Sequence, residues 1–369
     1  MNINVPFLEL APAHAELSVE IEAAALRVLA SGWYVGGPEN IRFEANFARY
    51  CGAEHAIGVA NGLDALHLVL RALDIGAGDE VIVASNSYIA TLLAVSMVGA
   101  TPVLVEPDPI TFNLDPTRVE AAITSRTRAL LPTHLYGQPA DLESLAVIAQ
   151  LHNLRLVEDA AQAHGARYRN VRIGAHSDAV CWSFYPSKNL GAAGDAGAVT
   201  TNNTMLAERI RVLGNYGSGV RYVNEIRGVN SRLDPLQAAI LDVKLPHLQT
   251  WNNRRANIAA RYLDSLQDCG LVLPQVPEWA TPAWHLFVVH TPHRDALRDA
   301  LAAGGIATQI HYPIPPHRQL AYADLHLEDG SFPIAERLAA EAVSLPIGPH
   351  MPDDHVGRVI DAIRRWAQA

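Results

Sequence analysis

Between residues 55 and 200, short apolar runs alternate with stretches of helical spacing. The runs lie at 56–60, 80–84, 101–106, 128–131, 154–158, 179–183 and 197–200. They are largely apolar along their length rather than alternating apolar with polar, so both faces of each strand must be covered. The intervening stretches supply that cover. After Asn61, for instance, Leu66, Leu68, Val69, Leu70 and Leu73 fall at helical spacing. Asp115-Pro116 opens another helix with an N-cap acid and a proline at its first position. The pattern predicts an α/β fold: a mostly parallel seven-stranded sheet between two helical layers, an α/β/α sandwich. A helix at 13–30 precedes it. After about residue 235 the rhythm changes, with long helices at 235–249 and 252–266. Apolar runs at 284–289 and 307–310 flank a helix at 294–303, and an amphipathic helix closes the chain at 353–369. The expected division is a large domain, 1–240, and a small C-terminal α/β domain, 241–369.

Composition narrows the function classes. With 49% hydrophobic and 18% charged residues, a large core is available and disorder is disfavoured. The net charge of −10 argues against broad nucleic-acid binding, which needs a basic face. The three cysteines, Cys51, Cys181 and Cys269, are odd in number and far apart, and fit a reducing compartment better than a disulfide framework. The first residues lack the charged and apolar regions of a signal peptide, and no apolar run reaches the roughly 20 residues of a membrane span. A cytoplasmic protein is expected. The sixteen histidines include no His-Glu-x-x-His pair, and no metal is expected.

In an open parallel sheet, ligands bind beyond the carboxyl ends of the strands. Four groups fall there. Gly62 and Leu63 sit at a strand-to-helix turn, where backbone N–H groups make a phosphate site; no Gly-x-Gly-x-x-Gly fingerprint accompanies them. Tyr88 follows another strand, either stacked on a flat ring or simply packed. Asp159 closes a strand, and a buried carboxylate there needs a cationic partner or several donors. A structural ion pair and the protonated pyridine nitrogen of a cofactor both meet that need. Gln162, three residues on, reaches a ring substituent in the second case. Last comes Lys188, between the apolar run 180–182 and the glycine-rich run 191–197, with Ser183 offering a hydroxyl at the strand end. Lys188 is either a surface lysine in a loop or a desolvated, nucleophilic amine. Phosphate site, stacking ring, acid and amine on successive strand ends together describe a pyridoxal 5'-phosphate site.

The motifs that carry these residues are Ala60-Asn61-Gly62-Leu63-Asp64-Ala65-Leu66, Glu158-Asp159-Ala160-Ala161-Gln162-Ala163-His164-Gly165-Ala166, Ser183-Phe184-Tyr185-Pro186-Ser187-Lys188-Asn189-Leu190-Gly191, Gly194-Asp195-Ala196-Gly197 and Gly228-Val229-Asn230-Ser231-Arg232-Leu233-Asp234. Through them the chain resembles, over essentially its whole length, the DegT/DnrJ/EryC1/StrS sugar aminotransferases of the fold-type I pyridoxal-phosphate class. The resemblance implies that Lys188 is the Schiff-base lysine, that Asp159 pairs with the pyridinium nitrogen, and that Gln162 contacts the ring hydroxyl. Tyr88 stacks on the ring, while Ser183, Gly62 and Leu63 hold the phosphate. It further implies that Asn230 reaches the phosphate of a neighbouring subunit, hence a homodimer with shared sites. The stretch 309–322 resembles the branch acting on nucleotide-linked 3-keto-6-deoxyhexoses, with Tyr34, Tyr185, His311, Tyr312 and His317 as sugar contacts.

The expected reaction is transamination from glutamate to a dTDP-linked 3-keto sugar, in two half-reactions at one site, with Lys188 carrying the proton. The alternative is the same chemistry at C4 of a 4-keto sugar. A family dehydratase carries histidine in place of the lysine, so Lys188 argues against it. A non-catalytic regulator would need an added DNA-binding segment.

Overall fold

The computed structural model describes residues 5–368. Seven strands form one sheet: β1 (His55–Val59), β2 (Glu80–Ala84), β3 (Thr101–Val105), β4 (Thr127–Leu130), β5 (Arg155–Asp159), β6 (Ala179–Ser183) and β7 (Gly197–Thr201). Across the sheet they run β1-β7-β6-β5-β4-β2-β3. β7 pairs antiparallel with both neighbours, β1 and β6. The remaining pairs are parallel. Only β7 is reversed, so the carboxyl ends of β1, β2, β5 and β6 share one edge, where the expected site residues lie.

The two faces of β6 show why the strands read as continuously apolar. Ala179 and Cys181 join the core that contains Leu66, Leu68 and Leu92. Val180 and Trp182 join a second, with Phe43, Phe47 and Phe184. Successive side chains point to opposite faces, and helices cover both. On the second face Phe47 meets Trp182 and Phe184 edge-on, at 5.4 and 5.1 Å between centroids.

A further core lies in the C-terminal part, built from Tyr262, Phe287, Val289, Leu297, Val343, Val359 and Ile363, with Val5 from the other end of the chain. It is centred on an antiparallel pair, β8 (Phe287–His290) and β9 (Ala342–Leu345). One helix, Leu248–Ser265, enters both cores: Leu248 belongs to the Trp182 core and Ile258 to the C-terminal one.

Four local expectations shift. The helix expected at 13–30 divides at Leu17, whose ψ of 24° separates Ala11–Glu16 from Ser18–Ser31. The break expected near 250 falls instead at the 3-10 turn Leu245–His247, where Pro246 has no backbone N–H for the helical ladder. The strand expected from 284 starts at Phe287, because Trp284 is left-handed with φ of 49°. The run at 307–310 forms a bridge, Gln309 to Ser344, rather than a full strand.

Candidate active site

Asp159 is the last residue of β5 and is 5% exposed. Thr91 Oγ1 donates to its Oδ2 at 2.8 Å, and the Ala161 N–H to its Oδ1 at 3.2 Å. Both donors are neutral, and no arginine or lysine makes an ion pair with Asp159 among the described residues. The structural ion pair allowed by the sequence is therefore not formed. Its neighbour Glu158 faces the other way, into a fully buried contact of 2.8 Å with His134 Nε2. His134 Nδ1 accepts the Ala140 N–H, so the hydrogen on Nε2 is donated to Glu158. Two adjacent carboxylates thus have different fates: Glu158 is engaged by His134 through one oxygen, and Asp159 is held by two neutral donors with no cation of the protein paired to it.

Lys188 lies in the turn after β6. Its N–H donates to the Tyr185 carbonyl at 2.8 Å. The turn closes so tightly that a Cβ on Gly191 would meet the Pro186 oxygen at 2.3 Å. Next to it Asn189 is buried and fully used: its Nδ2 donates to Asn252 Oδ1 at 2.9 Å and the Ala283 carbonyl at 2.8 Å, and its Oδ1 meets His285 Nδ1 at 3.1 Å. Asn252 in turn donates to the His164 carbonyl at 2.7 Å, which ties the lysine turn to the segment after Asp159. Burial pushes the Lys188 amine down to about 8, opposed by the Asp159 charge. Burial, with the lysine's charge, also pushes His164 down to about 3 and His311 to about 4. The imidazoles around the amine are therefore neutral and do not compete with it as cations.

The turn expected to hold a phosphate follows from close packing. Asn61 caps the helix Gly62–Ala72, its side chain accepting the Asp64 N–H at 2.8 Å. A Cβ on Gly62 would stand 2.6 Å from Ser183 Cβ, and one on Gly197 would stand 2.4 Å from the Asn61 oxygen. Glycine alone lets the helix N-terminus rest against the end of β6. Ser183 Oγ accepts the Tyr185 N–H at 3.3 Å, leaving its own hydrogen to donate.

Tyr88 is 48% exposed, its ring 4.9 Å from that of Tyr312. The Tyr312 hydroxyl accepts Gln162 Nε2 at 3.1 Å, and Gln162 Oε1 accepts the Tyr136 N–H. The Tyr136 hydroxyl donates to the His311 carbonyl, and His311 Nδ1 lies 2.7 Å from Ser344 Oγ in β9. Burial raises the Tyr136 and Tyr312 hydroxyls well above their ordinary range, so both are protonated donors. Through this chain the C-terminal part of the molecule is bonded directly to Gln162.

Of the other expected residues, Tyr34 and Tyr185 are exposed at 56% and 54%. The Tyr34 hydroxyl donates to the Leu29 carbonyl at 3.1 Å. Asn230 is exposed, on a segment bridged to Asn215. His317 is buried, its Nε2 3.1 Å from Glu336 and its ring packed on Phe332. Sequence reasoning missed Thr91, Tyr136 and the Asn189–Asn252–His285 network. Thr91 lies three residues after Tyr88 at a helix start, the one local signal available. Nothing local marks the others.

The match to known proteins extends over the whole molecule. The model of the DegT/DnrJ/EryC1/StrS aminotransferase family matches residues 15–364. The chain belongs to that family. It is 56% identical over 365 residues to the dTDP-3-amino-3,4,6-trideoxy-alpha-D-glucose transaminase of Streptomyces venezuelae, covering 99% of this chain and 96% of that one. It is 54% identical to the dTDP-3-amino-3,6-dideoxy-alpha-D-galactopyranose transaminase of Aneurinibacillus thermoaerophilus, covering 98% and 99%. The erythromycin biosynthesis sensory transduction protein EryC1 of Saccharopolyspora erythraea is 56% identical, covering 99% and 100%. Among solved structures, S. venezuelae DesV in complex with a ketimine intermediate superposes with a TM-score of 0.98 at 55% identity, covering 99% of each chain. Membership makes this chain an aminotransferase of the fold-type I class.

The residues present fit pyridoxal phosphate. Asp159 lacks a protein cation, the Lys188 amine is desolvated, and the Gly62 turn against Ser183 leaves N–H groups and a hydroxyl for a phosphate.

Proposed function

We propose that this aminotransferase uses pyridoxal phosphate to convert a dTDP-linked 3-keto-6-deoxyhexose to its 3-amino sugar, with glutamate as donor. The observation that carries the C3 assignment is the near-complete coverage, at 54–56% identity, of two transaminases whose names specify 3-amino dTDP-sugars.

Pyridoxal phosphate, when bound, supplies the electron sink for a carbanion at the amine-bearing carbon. Lys188 would anchor it, and its amine, when free, would take the proton from the donor's α-carbon. In the return half-reaction the same amine delivers a proton to C3 of the sugar. Asp159, held by Thr91 and the Ala161 amide, keeps a cationic ring nitrogen in place. Gln162 orients the ring from its position between Tyr136 and Tyr312. Tyr88 stacks on it, while Ser183 with the Gly62 and Leu63 amides holds the phosphate. Tyr34, Tyr185, His311 and Tyr312 line the sugar's approach.

The site is completed in a homodimer, with Asn230 reaching the partner's phosphate. Exposed apolar side chains support that reading: Leu26, Leu29, Trp33 and Val35 on one stretch, and Val220, Tyr222 and Val223 beside the Asn230 segment. The division at residues 1–240 and 241–369 belongs to the same reading, supported by the separate C-terminal core. A cytoplasmic location agrees with three free, buried cysteines; no helix among the described residues is long and apolar enough to cross a membrane.

Purified enzyme with glutamate and a panel of 3-keto and 4-keto nucleotide sugars tests the function, with NMR and mass of the product as readout. A 3-amino sugar is expected. Formation of the 4-amine alone would overturn the assignment.

A further inference from the structure

Beside Lys188, a small pocket of about 70 Å³ opens between the N-terminal segment and the helices Pro235–Lys244 and Leu248–Ser265. Its wall carries three basic side chains, Lys188, Lys244 and Arg255, and one exposed carboxylate, Glu9. The other acid nearby, Glu16, is already engaged by Arg254, His350 and Trp251.

Arg255 is the unusual member. It is 3% exposed, and its Nη1 meets only the carbonyls of Trp284, His285 and Ile347, at 3.2–3.3 Å. Its Nε has no partner among the described residues. No carboxylate pairs with it, and burial pulls it down to about 10. Half-buried Lys244 donates to the Gly191 carbonyl at 2.7 Å, and it too is lowered by burial. A guanidinium buried without a counter-ion is costly, and it becomes favourable once an anion supplies charge and acceptors.

We propose that this pocket is an anion subsite that takes the side-chain carboxylate of a dicarboxylic amino donor, with Lys244 and Arg255 as its two cationic contacts. The proposal rests on the transaminase reading and names how the donor is chosen. A carboxylate ends a chain, so it can enter a narrow pocket of this size and leave its amino end on the side of Lys188. A pyrophosphate is tied to nucleoside on one side and sugar on the other, and cannot bury itself against Arg255 in the same way. The pocket therefore selects a dicarboxylate over a monocarboxylate such as alanine.

The test is calorimetric titration of the holoenzyme with glutarate, a dicarboxylate without an amine, and separately with inorganic pyrophosphate. Lys244→Met and Arg255→Lys are compared with the parent. Lys244 is half-buried with a single hydrogen bond, so its replacement keeps the test valid if the Arg255 variant fails to fold. Glutarate affinity is expected to fall about ten-fold or more in Lys244→Met, as for loss of a charged hydrogen bond. Pyrophosphate affinity should stay unchanged, and the KM for glutamate should rise while that for alanine does not. Unchanged glutarate binding overturns the proposal, and so does a loss confined to pyrophosphate. An error in the sugar assignment would change the amination product and leave the glutarate titration as it is, so the two failures are distinguishable.

Discussion

Lys188 is charged below its pKa of about 8 and neutral above it. Only the neutral amine adds to a carbonyl. Capture of pyridoxal phosphate by the apoenzyme should therefore accelerate as pH rises through about 8 and level off above it, which rapid-mixing absorbance will show. A rate flat in pH contradicts the assignment. Lys188→Ala should abolish the lysine-linked cofactor absorption and all turnover, and retained turnover would remove the lysine from the mechanism. Asp159 is held by two neutral donors, and the proposed function pairs it with the cofactor's ring nitrogen. Asp159→Asn should keep the cofactor bound while turnover falls by about 10²-fold or more. Near-normal steady-state rates would mean that Asp159 does not hold the ring nitrogen. Asp159 and Lys188 were legible in the chain because Asp159 ends a short apolar strand and Lys188 lies between such a strand and a glycine-rich run. Thr91 was not, since its bond to Asp159 spans 68 positions.

At the scale of elements, the site depends on how closely a helix N-terminus approaches a strand end. Gly62 permits that approach, because a Cβ there would overlap Ser183. Gly62→Ala should push the helix Gly62–Ala72 away from β6 and cost about 1–3 kcal/mol, the usual price of overpacking. Cofactor affinity should fall more than stability if the displaced amides hold the phosphate as proposed. Denaturant titration and equilibrium dialysis will separate the two effects. The strands were readable because continuous apolar character marks a doubly covered sheet, and helix caps such as Asn61 have local signatures. The turn that fixes Lys188 was not readable: Asn189 bonds to Asn252 and Ala283, 63 and 94 positions away.

At the scale of the molecule, the shared-site reading makes a quantitative prediction. Lys188→Ala and Asn230→Ala are each expected to lose activity in their own homodimers. Co-expressed, they form mixed dimers in about half the assemblies, each with one site of two wild-type residues. Activity near one quarter of the parent's is expected, measured on purified mixed protein. No recovery would place Asn230 in its own subunit's site.

The layered architecture, the sheet edge that gathers the site residues and the four strand-end groups proposed to hold the cofactor were all legible in the chain. These are local properties: apolar runs, caps, glycines and the residues immediately after a strand. Tertiary structure alone decided which carboxylate of Glu158-Asp159 remained available, how Gln162 is bonded to the C-terminal part through Tyr312 and Tyr136, and that Arg255 is buried without a counter-charge beside Lys188. Each of these depends on partners brought together from distant parts of the chain, and hydrogen bonding and burial charge are properties of that assembly rather than of any short stretch.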